Sequence, residues 1–268
     1  MQKEKVVLFW FRRDIRLEDN RGLWEALRSG FPVLPVFIFD SDILDGLEEY
    51  RRVREIPYLD GTSNLSAHLR FGTVSVRSVV RRMIGNVEFV NELVWREFFM
   101  QIMYLFPDTV GSNFNRRYDF LEWRNNEAEF ELWKRGETGF PLVDAGMREL
   151  NATGYMHNRV RMIVASFLCK DLLIDWRWGE AYFAGQLMDY ELSSNNGNWQ
   201  WAAGTGCDAA PYFRIFNPDT QLKKFDPRLM YVRKWVPEMG SERYAARMVD
   251  HNAARIRALE AYKIAILR

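Results

Sequence analysis

The chain has 268 residues, 48% of them hydrophobic, and a formal net charge of +1. That length fits one large domain or two small ones, and the apolar share excludes wholesale disorder. The balanced charge excludes a uniformly basic nucleic-acid binder but leaves room for a local basic groove. Only two cysteines occur, Cys169 and Cys207, far apart and without a CxxC or His/Cys cluster. They argue against structural zinc and against a disulfide framework, and fit a reducing compartment; no metal site is expected. Aromatic residues reach 15%, including 10 Trp, which suits either stacking surfaces or a Trp-rich core. The opening MQKEKVVLFW is too short in apolar residues for a signal peptide, and no stretch is long enough to cross a membrane. A cytoplasmic protein is the expectation.

In chain order, Val6–Trp10 predicts a buried parallel strand and FRRDIRLEDN a charged loop. Asn20 is a candidate N-cap for a helix over Arg21–Arg28, Gly30 stops it, and Val33–Phe39 predicts a second strand. The two strands and their helix form a βαβ unit, which usually needs further strands. The strand pattern ends there, and everything from about residue 50 onward reads as helical.

GTSNLS at 61–66 offers hydroxyls and backbone amides at a helix start, which serves either as an anion site or as a simple N-cap. Val74–Ile84 predicts an amphipathic helix ending at Gly85, and 91–106 a long helix closed by Pro107. On that long helix Glu92, Trp95, Arg96 and Phe99 share one face, opposite a core stripe of Leu93, Phe98, Ile102 and Leu105. Phe140–Asn151 predicts a helix capped at Gly154. Asn158–Ile174 predicts another, with Asn158, Arg161, Met162 and Ala165 on one face. Asp175–Trp178 is read as a connection to a further helix ending near Asp189. Met248–Leu267, rich in Ala and Arg, predicts a solvated terminal helix.

The stretch from Asp189 to Lys224 stands apart. It gathers Asn195, Trp199, Trp201, Gly204, Gly206, Asp208 and Arg214 without any aliphatic run. Buried amides and carboxylates need hydrogen-bond partners, so such a stretch is poor core material and good material for holding a flat ring rich in heteroatoms.

MHNRVRM at 156–162, NNGNWQWAAGTGCDAAPYFRIFNP at 195–218, GTSNLSAHLRFGT at 61–73, ELVWREF at 92–98 and the opening FWFRRDIRLEDN together resemble the photolyase/cryptochrome family. Within it the chain is most similar to the cyclobutane pyrimidine dimer photolyases, because the 156–162 segment carries only His157 and because Asn195 stands where cryptochromes usually have Cys or Asp. The resemblance implies an α/β plus all-α fold. A truncated, Rossmann-like N-terminal βαβ unit (1–47) would precede a large helical FAD-binding catalytic domain (48–268).

It further implies that Tyr50, Thr62, Ser63, Asn64, Leu65 and Ser66 hold the FAD pyrophosphate, with Asn64 replacing a common Arg or Lys. Arg161 and Asp189 would form an ion pair against the flavin ring. Tyr190, Glu191, Arg96, Glu92 and Asn158 would complete the cofactor set, and Asn195 would face flavin N5. Glu92, Trp95, Asn158, Met162 and Trp201 would line the pocket for a flipped dimer, with Glu92 stabilising its radical anion. Arg54, Arg96, Arg159, Arg214 and Gln221 would contact DNA. Trp123, Trp176 and Trp199 would pass electrons from the surface to the flavin. The implied activity is light-driven dimer repair by reduced anionic FAD on damaged DNA, with no membrane and no obligate protein partner.

Most of the family's N-terminal domain is missing between about Leu47 and Tyr50, so no antenna chromophore is expected. A further shortening falls near Gly240–Arg247. The rival readings are a cryptochrome-like photoreceptor without repair and a flavin-free DNA-binding remnant.

Overall fold

The computed structural model describes residues 5–10, 21–36, 49–59 and 61–268. Strand β1 (Val7–Trp10) pairs in parallel with β2 (Val33–Val36), in register from Val7↔Val33 to Trp10↔Val36, with helix α1 (Arg21–Arg28) between them. The expected strand–helix–strand order is present in this coarse form. Gly30 takes a positive φ of 76°, which ends α1 in the region glycine enters without strain. The expected extension of β2 to Phe39, the Asn20 cap, the loop at 11–20 and the boundary at 47/48 lie outside the described residues.

The remainder is helical. Short α2 (Tyr50–Val53), α3 (Leu65–Phe71), α4 (Val76–Met83) and the long α5 (Val87–Leu105) pack around one small core of Tyr50, Leu65, Val74, Val79, Met83, Phe89 and Leu93. Helix α5 starts four residues earlier than expected, because Asn86 caps it by accepting from the Phe89 amide at 3.1 Å. Leu105, expected in a core stripe, is exposed at the last turn of α5.

The main core joins α6 (Glu127–Arg135), α7 (Pro141–Thr153), α8 (Asn158–Ser166), α9 (Trp176–Gln186), α10 (Leu192–Ala203), α11 (Pro218–Phe225) and α12 (Met230–Trp235). The expected helix over Asn158–Ile174 changes character at Phe167–Asp171, a π-helical turn, and Leu173 with φ 52° stops it. Asp175 is the N-cap of α9, so the expected connection is already helix. Asp144 ties α7 to its surroundings: its fully buried carboxylate accepts from the Thr138 amide and hydroxyl, the Gly139 amide and the Tyr244 hydroxyl.

The terminal helix α13 (His251–Leu267) is half-buried rather than solvated. Ala258, Tyr262 and Ala265 pack with Tyr118, Leu121 and Leu173, and Ala254 is buried on the same helix. Buried Lys170 joins this helix to α10: its ammonium donates to the Ala203 carbonyl at 2.7 Å and sits 3.6 Å over the Tyr262 ring, while the Tyr262 hydroxyl donates to the same carbonyl. Burial lowers the Lys170 pKa to about 7.

Candidate functional site

Helix α10 has two working faces. On one, Gln200 accepts from the Phe114 amide and donates to the Thr109 carbonyl and to Asn196 Oδ1, while Asn196 donates to the Val110 carbonyl. These buried amides stitch the 109–114 segment onto the helix and are structural. Gly197 also belongs to this side, where a Cβ would come within 2.1 Å of the Phe99 ring.

On the other face Asn195, Asn198, Trp199 and Trp201 line a hollow closed by Asn158, Arg161, Met162 and Ala165 of α8, Phe183 of α9, and Leu187, Asp189, Tyr190 and Glu191. The four α8 residues were expected on one face, and they are. This hollow opens into a wider cleft of about 420 Å³, which adds Glu92, Trp95, Arg96 and Phe99 of α5, Ser66, Tyr155 and Asp208. Those four α5 residues also share the expected face. A third hollow adjoins through Ser66, Glu92, Tyr155 and Asn158, and is lined by Tyr50, Arg54, Thr62, Ser63, Asn64 and Leu65. The three hollows form one continuous cleft between α2–α5 on one side and α8–α10 on the other.

Electrostatics divide the cleft. At its deep end Arg161 Nη2 donates to Asp189 Oδ2 at 2.9 Å, and Arg161 Nε donates to the Met156 carbonyl at 2.7 Å. Asp189 is buried, and its Oδ1 has no hydrogen-bond partner; among the described residues it is the only such orphan atom in the cleft wall. An orphaned buried acceptor is costly unless a ligand completes it. Glu191 turns back to cap α10, accepting from the amides of Ser193 and Ser194 and from the Ser194 hydroxyl. Burial opposes its charge, but these donors prevail and hold its carboxyl below the usual range. Asn195 is likewise held: its amide donates to the Glu180 carboxylate at 2.9 Å and to the Glu180 carbonyl at 3.1 Å. Burial raises the Glu180 pKa, and the Asn195 hydrogen bond lowers it again in part.

At the phosphate side, Asn64 begins α3 with a left-handed φ of 51°, the Leu65 amide is 3.4 Å from Ser63 Oγ, and Thr62 donates weakly to Asn64. Asn64 makes no side-chain cap, so the hydroxyls and amides of 62–66 stand around an opening without a charged residue of their own. The charges nearby come from α2 and its continuation. Arg54 bonds Glu92 at 2.7 Å, and Glu55 pairs with both Arg54 and Arg159. Arg159 also lies 4.5 Å over the Phe225 ring. Two of the five expected DNA-contact residues are therefore tied to carboxylates. Arg96 has no carboxylate partner among the described residues. Arg214 is exposed beyond the Trp201–Phe216 contact, and Gln221 is half-buried in α11, so neither lines the cleft.

The three expected electron-transfer tryptophans belong to the main core. Trp199 is nearly buried, meets Phe183 edge-on at 5.0 Å and lines the cleft. Trp176 is fully buried, donates to Asn113 Oδ1 at 2.9 Å and carries the Arg177 guanidinium 4.7 Å over its ring. Trp123 is half-buried and edge-on to Tyr262 at 6.2 Å. Sequence reasoning missed Glu55 and Glu180, which orient expected site residues, and Trp133, which touches Trp199.

The profile of the FAD binding domain of DNA photolyase matches residues 89–243, and that of DNA photolyase residues 7–97. Deoxyribodipyrimidine photo-lyases from Vibrio cholerae and Halobacterium salinarum are 44% and 47% identical, over 82% and 84% of this chain and 53% and 52% of their own lengths. A bacterial class III photolyase from Agrobacterium tumefaciens superposes with TM-score 0.80 at 43% identity, covering 85% of this chain and 54% of that one. A cryptochrome from Synechocystis gives 0.73 at 34% identity, covering 81% and 52%. The chain spans about half the length of the curated relatives it matches. With a matching FAD-binding profile across its helical body, the chain belongs to the photolyase/cryptochrome family.

Proposed function

We propose that this chain binds FAD and splits cyclobutane pyrimidine dimers in DNA under blue light. The observation that carries the reading is the continuous cleft, in which a hydroxyl-rich helix start, an ion pair with an orphaned acceptor and an open polar–aromatic pocket follow one another. FAD suits that sequence of surfaces. Its phosphates would meet the amides and hydroxyls of Thr62–Ser66, and its ring would lie beside Arg161, Asp189 and Asn195. The orphaned Asp189 Oδ1 gives a ring N–H or hydroxyl a site. Glu191, already capping α10, serves the cofactor through the position of that helix. Bound and reduced, the flavin supplies the light-driven electron.

The remaining work falls to the chain. Trp95 and Trp201 offer apolar walls to a dimer lifted out of the stack, a cheap extrusion for a damaged pair. Asn158 and Glu92 face its polar edges, and Met162 fills the gap between them. Glu92 is held by Arg54, so charge building on the dimer meets a hydrogen-bonded acid–guanidinium pair instead of bare carboxylate. Arg54, Arg96, Arg159 and Arg214, with Gln221, hold the phosphates flanking the lesion. Residues 1–47 form the remnant α/β part and 48–268 the catalytic body. Damaged DNA is the partner.

The test is conversion of a thymine-dimer oligonucleotide by the reduced, FAD-loaded protein. Repair in blue light and none in darkness is the expected result. FAD-loaded protein without light-dependent repair would overturn the reading.

A further inference from the structure

We propose that Lys170 is a positioning residue for the substrate side of the cleft: its buried ammonium fastens the segment between Ala203 and Tyr212, which carries Asp208 and leads into Arg214. The inference rests on the dimer reading above. Lys170 lies in the π-helical turn Phe167–Asp171 and is 1% exposed. Among the described residues it pairs with no carboxylate; the neighbouring Asp171 instead bonds His251 at 2.6 Å. An ammonium has three N–H donors, and three acceptors surround this one. Nζ donates to the Ala203 carbonyl at 2.7 Å and to the Tyr212 carbonyl at 3.4 Å, and it lies 3.6 Å over the ring of Tyr262.

Ala203 ends α10, and Gly204, with φ 80°, turns the chain out of the helix. The two carbonyls stand at either end of the excursion that follows, so one cation closes its base. Tyr212 stacks on Tyr262 at 6.0 Å and 5°, and the Ala210 amide donates to the Trp201 carbonyl at 3.3 Å. Beyond this base the segment is open. Cys207, Asp208, Phe213 and Arg214 are exposed, and Asp208 lines the wider cleft. Trp201, which lines the same cleft, meets Phe216 at 6.4 Å where the segment returns.

Burying an ammonium without a carboxylate is costly, and methionine would fill much the same space without that cost. What the ammonium adds is the tie across the base of the segment. Without Lys170 the Ala203 carbonyl keeps the Tyr262 hydroxyl as a donor, so the end of α10 stays held. The Tyr212 carbonyl loses its donor, and that end of the segment is freed. Loss of the tie is therefore felt on the DNA side of the cleft and not beside Arg161, Asp189 and Asn195.

The test compares the FAD-loaded parent with Lys170→Met and with Lys170→Gln, whose amide keeps two N–H donors. It reads the dissociation constant for a thymine-dimer oligonucleotide, the flavin retained per chain, and the rate of tryptic cleavage after Arg214. Lys170→Met should bind the dimer about tenfold more weakly and be cut about tenfold faster, the scale of one hydrogen bond from a charged donor, while retaining the parent's flavin. Lys170→Gln should recover most of both losses. The proposal is overturned if folded Lys170→Met matches the parent in both, if it loses flavin in step with DNA affinity, or if Lys170→Gln is no better. Should Lys170→Met fail to fold, deuterium exchange in the parent decides. Residues 207–213 should exchange at least about tenfold more slowly than the same sequence as a free peptide, and exchange at the free rate would overturn the fastening. Absence of dimer binding by the loaded, unmutated chain would overturn the dimer reading and the role given to Lys170 in it.

Discussion

Replacing Gly179 by alanine tests whether Trp199 is locked against α9. A Cβ at this position would stand 2.1 Å from Cη2 and 2.4 Å from Cζ3 of Trp199, and 2.6 Å from Leu168 Cδ2. Alanine favours the helix over glycine by about 1 kcal/mol. Forcing a methyl group into a packed core costs about 1–3 kcal/mol, and the upper end applies where a rigid indole and a buried leucine close both sides. The net expectation is a loss of about 2 kcal/mol, or a Tm lower by about 4–8 °C for a domain of this size. The indole can yield only toward the cleft it lines, so FAD affinity should fall by about tenfold, worth about 1.4 kcal/mol. Differential scanning calorimetry and flavin titration read the two effects. A Tm equal to or above the parent's, with flavin binding intact, would show that Trp199 is not wedged in this way and would refute the reasoning.

Arg161→Ala should cost about 3 kcal/mol or more, because it leaves the buried Asp189 with neither oxygen partnered; urea unfolding of the flavin-free protein measures it. Lys170 gives a pH effect of defined sign. Its folded pKa, about 7, lies below the unfolded value, so the folded state binds fewer protons between pH 7 and the ordinary lysine range. The parent should therefore gain stability relative to Lys170→Met as pH rises through that window, at up to about 1 kcal/mol per pH unit. A pH-independent difference in urea midpoint would contradict this. Glu55→Gln releases Arg54 and Arg159 from a competing carboxylate, so DNA affinity at low salt should rise, and the slope of log K against log salt should steepen by about one charge. Fluorescence anisotropy at several salt concentrations checks both.

Much of the site was legible because helical spacing is a strong constraint. Glu92, Trp95, Arg96 and Phe99 on α5, and Asn158, Arg161, Met162 and Ala165 on α8, could be assigned to common faces from their spacing alone, and all eight line the cleft. What spacing could not show was who holds whom across the chain. The Glu55–Arg159 and Glu180–Asn195 contacts join different elements, and nothing local in the sequence signals them. Asp144 lies three residues into α7 and looks like an ordinary acid of a first turn, yet it is wholly buried. The terminal helix was misjudged for a chemical reason. Its buried face is built of Ala254, Ala258 and Ala265 around Tyr262, and alanine gives almost no apolar contrast against flanking arginines. The strand–helix–strand opening followed from two short apolar runs and Gly30.

The measurement that bears most directly on the account is the amount of flavin retained per chain after reconstitution with FAD and removal of the excess by gel filtration. A cleft built wholly from residues 50–208 of this one chain predicts one FAD per chain, with retention by the Asp189→Ala variant markedly reduced. Free elution of all the flavin from folded protein would contradict the claim that this chain builds its own flavin site.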